Sequence, residues 1–270
     1  MGNRRGEKNF STLNGLSDKE QLALNKRVEH LIEGRDIDGR TDYSEEEKEM
    51  LHQYTGAGGL KGATGKGVLS EFYTPQWLCD RMADIARFYG YKGGHILEPS
   101  CGIGRMVESF CRQGDYEKID CMELQHTSAR ICKILHPEVE VYEGAFETAF
   151  LDYPRLRNRS LSTWLSGAPY DLIIGNPPYG TFGGKWSVYF SKAERTQLYE
   201  TFFISMGLEL LKSGGLLVYV INSSLMNNGQ SYDGEKDRIG QKATFVDAVR
   251  LPPVFSTTDM TTDIIVLRKI

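Results

Sequence analysis

Apolar and polar positions along this chain change rhythm near residue 75. Beyond it, short apolar runs alternate with longer segments of helical period. GGHILEP (93–99), KIDCMEL (118–124), EVEVYEG (138–144), DLIIGN (171–176) and LLVYVIN (216–222) read as strands. PQWLCDRMADIARFYG (75–90), GRMVESFCRQG (104–114), HTSARICKILH (126–136) and TQLYETFFISMGLELLKSGG (196–215) read as helices. Pro75 suits a first helical turn, where no backbone N–H is needed. Strands alternating with helices predict a mostly parallel sheet covered on both faces. ATFVDAVRLPP (243–253) and TDIIVLRKI (262–270) add two strands with no helical pattern between them. They predict an antiparallel hairpin. The fold class is therefore α/β, with seven strands.

The first third reads differently. Residues 1–15 are a polar tail. In SDKEQLALNKRVEHLIEG (17–34), Ser17 and Glu20 have capping-box spacing, and Gly34 is the expected stop. In TDYSEEEKEMLHQYTG (41–56), Ser44 is the expected cap, Glu45 to Glu47 suit the positive helix start, and Gly56 is the expected end. GAGGLKGATGKG (56–67) reads as a flexible hinge. Residues 1–67 are thus expected to form a tail, a small helical arm and a linker, and residues 68–270 the main domain.

Composition narrows the function classes. The chain has 270 residues, 40% of them hydrophobic and 25% charged, as in ordinary globular proteins. No apolar stretch reaches the length of a membrane span, and MGNRRGEKNFSTLNG lacks the apolar core of a signal peptide. Met1-Gly2 begins like a myristoylation site, which alone is a weak anchor. A cytoplasmic protein away from membranes is expected. The five cysteines are odd in number and form no CxxC pair, which predicts reduced thiols and no metal site. With a net charge of −4, any contact with nucleic acid must come from local basic patches.

Two stretches carry chemistry. ILEPSCGIGRM (96–106) runs from strand through an acid and a small-residue loop into a helix. Ligands of parallel α/β sheets sit at such strand ends. Gly102 and Gly104 let a ligand approach the backbone. The run lacks both the third glycine of a dinucleotide fingerprint and the GK[ST] of a P-loop. Glu98 suits an ammonium group better than a pyrophosphate. Glu123, ending the next strand, is placed as ribose-binding acids are. Together these fit a nucleoside cofactor with a charged amino-acid part, such as S-adenosylmethionine. A plain structural turn and a solvated acid are the alternatives.

The second stretch is Asn176-Pro177-Pro178-Tyr179, at the end of an apolar run. The prolines fix the local backbone and remove N–H donors. The Asn176 side-chain oxygen and the Pro177 carbonyl can then accept from one NH2 group, while Tyr179 stacks on a planar ring. Two aimed acceptors help a delocalised amine attack a methyl group, by electrostatic preorganisation and by alignment. A strand-to-loop stop is the other reading.

With these motifs the sequence resembles S-adenosylmethionine-dependent DNA adenine-N6 methyltransferases, in the group whose cofactor motifs precede the catalytic one. EFYTP (71–75), EPSCGIG (98–104), NPPY (176–179) and KSGGLLVYVIN (212–222) carry the resemblance over roughly residues 68–270. EEEKEMLHQYTGAGGL (45–60) resembles the segment ahead of the methylase in methylase–helicase proteins of mobile elements. The resemblance implies a Rossmann-like sheet. It implies that Tyr73 and Thr74 hold the methionine end of the cofactor. Glu98 would meet its amino group, with Pro99, Gly102 and Gly104 in the loop around it. Glu123 would bind the ribose and Phe146 pack on the adenine. Asn176 and the Pro177 carbonyl would grip the amine of a flipped base, with Tyr179 and Phe255 stacking on it. For Phe255, core packing is an equal alternative.

The chain departs from the family pattern at Ala145, where members often carry an Asp for the cofactor's adenine; either Glu147 substitutes or the cofactor is held less tightly. Members usually continue past the last strand into a target-recognition domain, so sequence choice is expected to be low, to come from a separate specificity subunit, or to reside in an additional domain of a longer chain. The expected partner is duplex DNA, the adenine flipped from the stack. RLRNR (155–159), KWSVYFSKAER (185–195) and GEKDRIGQK (234–242) read as basic or mixed loops at the site's rim; for the third, an ordinary solvated loop is favoured. Protein-glutamine N5 methylation, RNA adenine methylation and a non-catalytic methylase-like subunit are the competing functions.

Overall fold

The computed structural model describes residues 13–56, 72–151, 168–183, 187–191, 196–227, 232–255 and 260–270. Glu71, nearly all of the glycine-rich hinge, the RLRNR segment and most of KWSVYFSKAER lie outside the described residues.

The main domain is built on seven strands: β1 (His95–Glu98), β2 (Lys118–Glu123), β3 (Glu140–Glu143), β4 (Tyr170–Gly175), β5 (Leu211–Asn222), β6 (Ala243–Arg250) and β7 (Thr262–Lys269). Their order across the sheet is β3-β2-β1-β4-β5-β7-β6. The first five are parallel, and β7 runs antiparallel between β5 and β6. The expected sheet and terminal hairpin are therefore both present. Strand order reverses between β1 and β4, which are direct neighbours. In parallel sheets that reversal opens a crevice at the carboxyl ends of the two strands. Glu98 ends one of them and Asn176 follows the other.

Alternation along the strands divides the core. Ile96, Leu172 and Val218 face one side, against Leu78 and Met82 of α3 (Gln76–Phe88). Leu97, Ile173 and Leu217 face the other, against Phe202 and Phe203 of α6 (Tyr199–Leu210). Each such fully buried side chain stabilises the fold by about 1.5–3 kcal/mol relative to exposure. Among the described residues, α4 (Arg105–Cys111), α5 (His126–Leu135) and α7 (Asp233–Gly240) also belong to this domain.

The arm consists of α1 (Asp18–Asp38) and α2 (Glu45–His52). Both start at reciprocal capping boxes, Ser17 with Glu20 and Ser44 with Glu47. Their ends differ from expectation. α1 runs through Gly34 and stops at Gly39, which has φ 65°. An interior glycine costs only about 1 kcal/mol, and the extra turn is anchored by Arg35 to Glu47 and by Asp36 to Arg130 and His126. α2 ends at His52, before Gly56, because the Tyr54 ring is drawn into a cluster with Val28, Ile32, Leu51, Ile103 and Ile131.

Two further expectations are corrected. The helix read over 196–215 covers only Tyr199–Leu210, since Leu211 already pairs with Tyr170 as β5 begins. GEKDRIGQK is not a loop: most of it forms α7, held by buried Glu235, whose carboxylate accepts from the Gln197 N–H at 2.6 Å. Its Lys236 pairs with Asp233 and Lys242 with Glu209, as on an ordinary solvated surface.

Candidate active site

At the β1–β4 crevice a cavity of about 430 Å³ gathers the ends of four strands and the Phe72-Tyr73-Thr74 segment. Tyr73, Thr74, Glu98, Pro99, Gly102, Glu123, Phe146 and Asn176 to Tyr179 all line it. Of the residues singled out by sequence, Gly104 and Phe255 do not.

Glu98 lies at the floor of the cavity. It is 5% exposed, and its Oε2 has no hydrogen-bond partner among the described residues. Burial, with Cys132 and Glu123 nearby, pushes its carboxyl well above the usual range. An unpartnered acid oxygen facing a cavity is matched by a cationic group of a ligand. The loop beyond it is shaped by Gly102, at φ 54°, where a Cβ would stand 3.2 Å from the Tyr73 ring. Glu123 fixes that loop: its two carboxylate oxygens accept from the Gly102 N–H at 2.8 Å and the Gln125 N–H at 2.7 Å. Gly104, grouped with Gly102 on sequence, does not line the cavity. A Cβ there would lie 2.5 Å from the His136 ring and 2.9 Å from Cys132 Sγ, so this glycine lets α4 start against α5.

The loop after β3 closes another wall. Phe146 is buried against Phe203, with ring centroids 4.7 Å apart. Ala145 and Glu147 both line the cavity, and burial raises the Glu147 carboxyl. A buried acid therefore stands two residues beyond the alanine.

Asn176 is held on three sides. Its Nδ2 donates to the Phe72 carbonyl at 3.1 Å, which fixes the amide's orientation and turns Oδ1, the acceptor, the other way. The Tyr179 hydroxyl donates to that Oδ1 at 2.5 Å. Ser100 Oγ donates to the Asn176 carbonyl at 3.1 Å and ties the two motif loops together. Tyr179 is buried, and burial pushes its hydroxyl well up, so it stays a neutral donor. Phe255 packs 5.3 Å from Phe72 and 6.5 Å from Tyr179, 6% exposed and away from the cavity wall. In this structure it is a core residue supporting the aromatic corner.

Sequence reasoning missed several supports. Phe72 acts through its carbonyl, which no side-chain pattern reveals. Ser128, on α5, bonds the Tyr73 hydroxyl at 2.6 Å. Arg105 lies over the Tyr73 ring, 5.8 Å from its centroid, and donates to the His52 and Tyr54 carbonyls, so the arm braces the ligand loop from behind. The cysteines hold a further surprise. Cys101, Cys121 and Cys132 come from a loop, a strand and a helix, yet their sulfurs lie within 4.8 Å of one another. Spacing along the chain gave no sign of this.

Among the described residues, no helix is long and apolar enough to cross a membrane. Residues 109–253, just over half the chain, match the model of the Eco57I restriction-modification methylase family. The defense against restriction protein B of Escherichia phage P1 is 30% identical over 86% of this chain, which spans 9% of that protein. Modification methylase CviBIII of Paramecium bursaria Chlorella virus NC1A is 28% identical over 58% of this chain and 38% of its own length. The chain thus spans well under half the length of the curated relatives it matches. In fold it resembles a component of a type I restriction–modification system, with TM-score 0.59 and 17% identity over 95% of this chain and 49% of that one. A class I S-adenosylmethionine-dependent methyltransferase structure from Listeria monocytogenes gives 0.58 and 16% over 97% and 69%. Fold and family agree: the chain belongs to the Eco57I restriction-modification methylase family.

Proposed function

We propose that this chain methylates the N6 amine of adenine in DNA, with the base turned out of the duplex into the Asn176–Tyr179 corner. The observation that carries the reading is the fixed amide of Asn176, aimed by the Phe72 carbonyl and set one strand away from Glu98.

The residues fit the cofactor. Glu98 would take its ammonium group, Glu123 its ribose hydroxyls, and Phe146 its adenine face, with Tyr73 and Thr74 beside the methionine end. Bound there, the cofactor supplies an electrophilic methyl group on a sulfonium. The protein's part is to hold the amine. Asn176 Oδ1 keeps one acceptor site beside the Tyr179 hydroxyl bond, and the Pro177 carbonyl is the second acceptor. The two acceptors would stabilise the positive charge that develops on the amine as it takes up the methyl group. The amine then loses a proton to solvent. A neutral Tyr179 presents its ring to the base. No strong base is needed before attack.

Family and relatives described as restriction-modification or modification methylases support DNA as the polymer. A separate specificity subunit or an additional domain would choose the sequence; a fold neighbour from a multi-subunit restriction–modification complex supports that arrangement. The test is transfer from methyl-labelled S-adenosylmethionine to unmethylated duplex DNA, single-stranded DNA, RNA and protein extract. Label recovered as N6-methyladenine from DNA is expected. Label confined to RNA or glutamine overturns the substrate, and cofactor binding without label anywhere overturns the activity of the isolated chain.

A further inference from the structure

We propose that Cys101, Cys121 and Cys132 form a three-thiol site that captures a thiophilic trivalent centre of the arsenite class, and that its occupancy closes the cofactor cavity. The three sulfurs lie within 4.8 Å of one another, and all three residues are buried. Trivalent arsenic keeps a lone pair and binds three sulfurs as a pyramid, so sulfurs about 2.3 Å from the centre stand roughly 3.5 Å apart. A contraction of at most about 1.3 Å therefore converts the cluster into a coordination set. The three donors come from the loop after β1, from β2 and from α5, so the fold itself preorganises them.

Access is built in. Cys101 lines the cofactor cavity, whereas Cys121 and Cys132 lie behind it. A small neutral solute can enter where the cofactor does. Charge selects among thiophiles. Three thiolates around a monovalent or divalent ion leave net negative charge in a dry site, close to the buried acid Glu98. Trivalent arsenic leaves none. Arsenous acid condenses with three thiols, three As–S bonds replacing three As–O bonds, and the hydroxyls leave as three waters with the thiol protons. No redox change occurs, and the product is neutral, as burial favours. Zinc is a poorer match, because its structural sites take four ligands. Drawing Cys101 inward displaces the loop that carries Gly102, whose N–H is bonded to Glu123.

The test uses the reduced full chain and arsenite alone. Mass spectrometry is expected to show one arsenic gained and three hydrogens lost per chain. Binding of S-adenosylhomocysteine should weaken at least tenfold and recover on adding a dithiol. Prior saturation with S-adenosylhomocysteine should slow uptake. Cys132→Ala should abolish the three-thiol adduct, and Cys111→Ala should keep it. An adduct that retains a hydroxyl, no adduct, or unchanged S-adenosylhomocysteine affinity overturns the proposal. So does an adduct lost in Cys111→Ala but kept in Cys132→Ala, since Cys111, His136 and Glu138 form a neighbouring group. The wild-type stoichiometry decides the matter even if a variant fails to fold.

Discussion

Glu98 and Asn176 stand at the ends of adjacent strands but face opposite problems. Glu98 Oε2 has no hydrogen-bond partner among the described residues; Asn176 has a partner for each end of its amide. Because burial raises Glu98 above its unfolded value, its protonated form supports the fold at acid pH. That contribution is lost as pH rises through the raised value. A cationic ligand reverses the preference and draws the proton off. Affinity for S-adenosylmethionine should therefore climb with pH until Glu98 ionises unaided, then level. Calorimetry in buffers of different ionisation enthalpy should detect proton release on binding. Glu98→Gln should bind weakly and release none; release unchanged in that variant would assign the proton elsewhere. Asn176→Ala should leave cofactor affinity near wild type while lowering methyl transfer about 10²–10³-fold, the usual cost of one preorganised acceptor or donor. Loss of cofactor binding instead would mean that Asn176 serves only to hold the loops together.

Two glycines show how far local pattern reaches. Gly39 and Gly104 both have positive φ, 65° and 89°, and both bound a helix. Around Gly39 nothing lies within 4 Å of an added Cβ, whereas at Gly104 the His136 ring and the Cys132 sulfur already occupy the space. Gly39→Ala should cost about 1 kcal/mol, the strain of a left-handed backbone alone. Gly104→Ala adds overpacking to strain and should cost about 2–5 kcal/mol. Denaturant unfolding of the two variants separates the cases, and equal losses would remove the packing argument. The same contrast explains what the sequence could tell. Capping boxes, strand runs and the NPPY corner are short-range features, and each appears where its residues predict. Gly34 misled because the turn beyond it is held by Arg35 and Asp36 through contacts made elsewhere. α7 was hidden because two glycines and charged residues dilute its pattern, and Glu235 holds it through the distant Gln197. The Phe72 carbonyl and the cysteine cluster were invisible for a related reason, since only the sheet brings them together.

The arm and the sheet meet behind the cofactor loop. Leu51 of α2 and Val28 and Ile32 of α1 share one buried cluster with Ile103, in the loop, and Ile131, on α5. Arg105 adds bonds to the carbonyls at the end of α2, and Tyr54 packs edge-on against Tyr73 with centroids 6.2 Å apart. A boundary near residue 67 thus separates segments of sequence, while the packing joins them into one body. Leu51, fully buried, is the residue that tests this union. Leu51→Ala should destabilise the protein by about 2–5 kcal/mol, as large-to-small core changes do. Calorimetry should show the whole unfolding transition moving down as one, because the cluster joins the arm to α5 and the loop after β1. S-adenosylmethionine should bind the variant more weakly, since Ile103 and Tyr73 lose their backing, although no ligand-lining side chain has changed. A low-temperature shoulder for the arm, with the main transition and the cofactor affinity unmoved, would show instead that the arm folds and melts on its own.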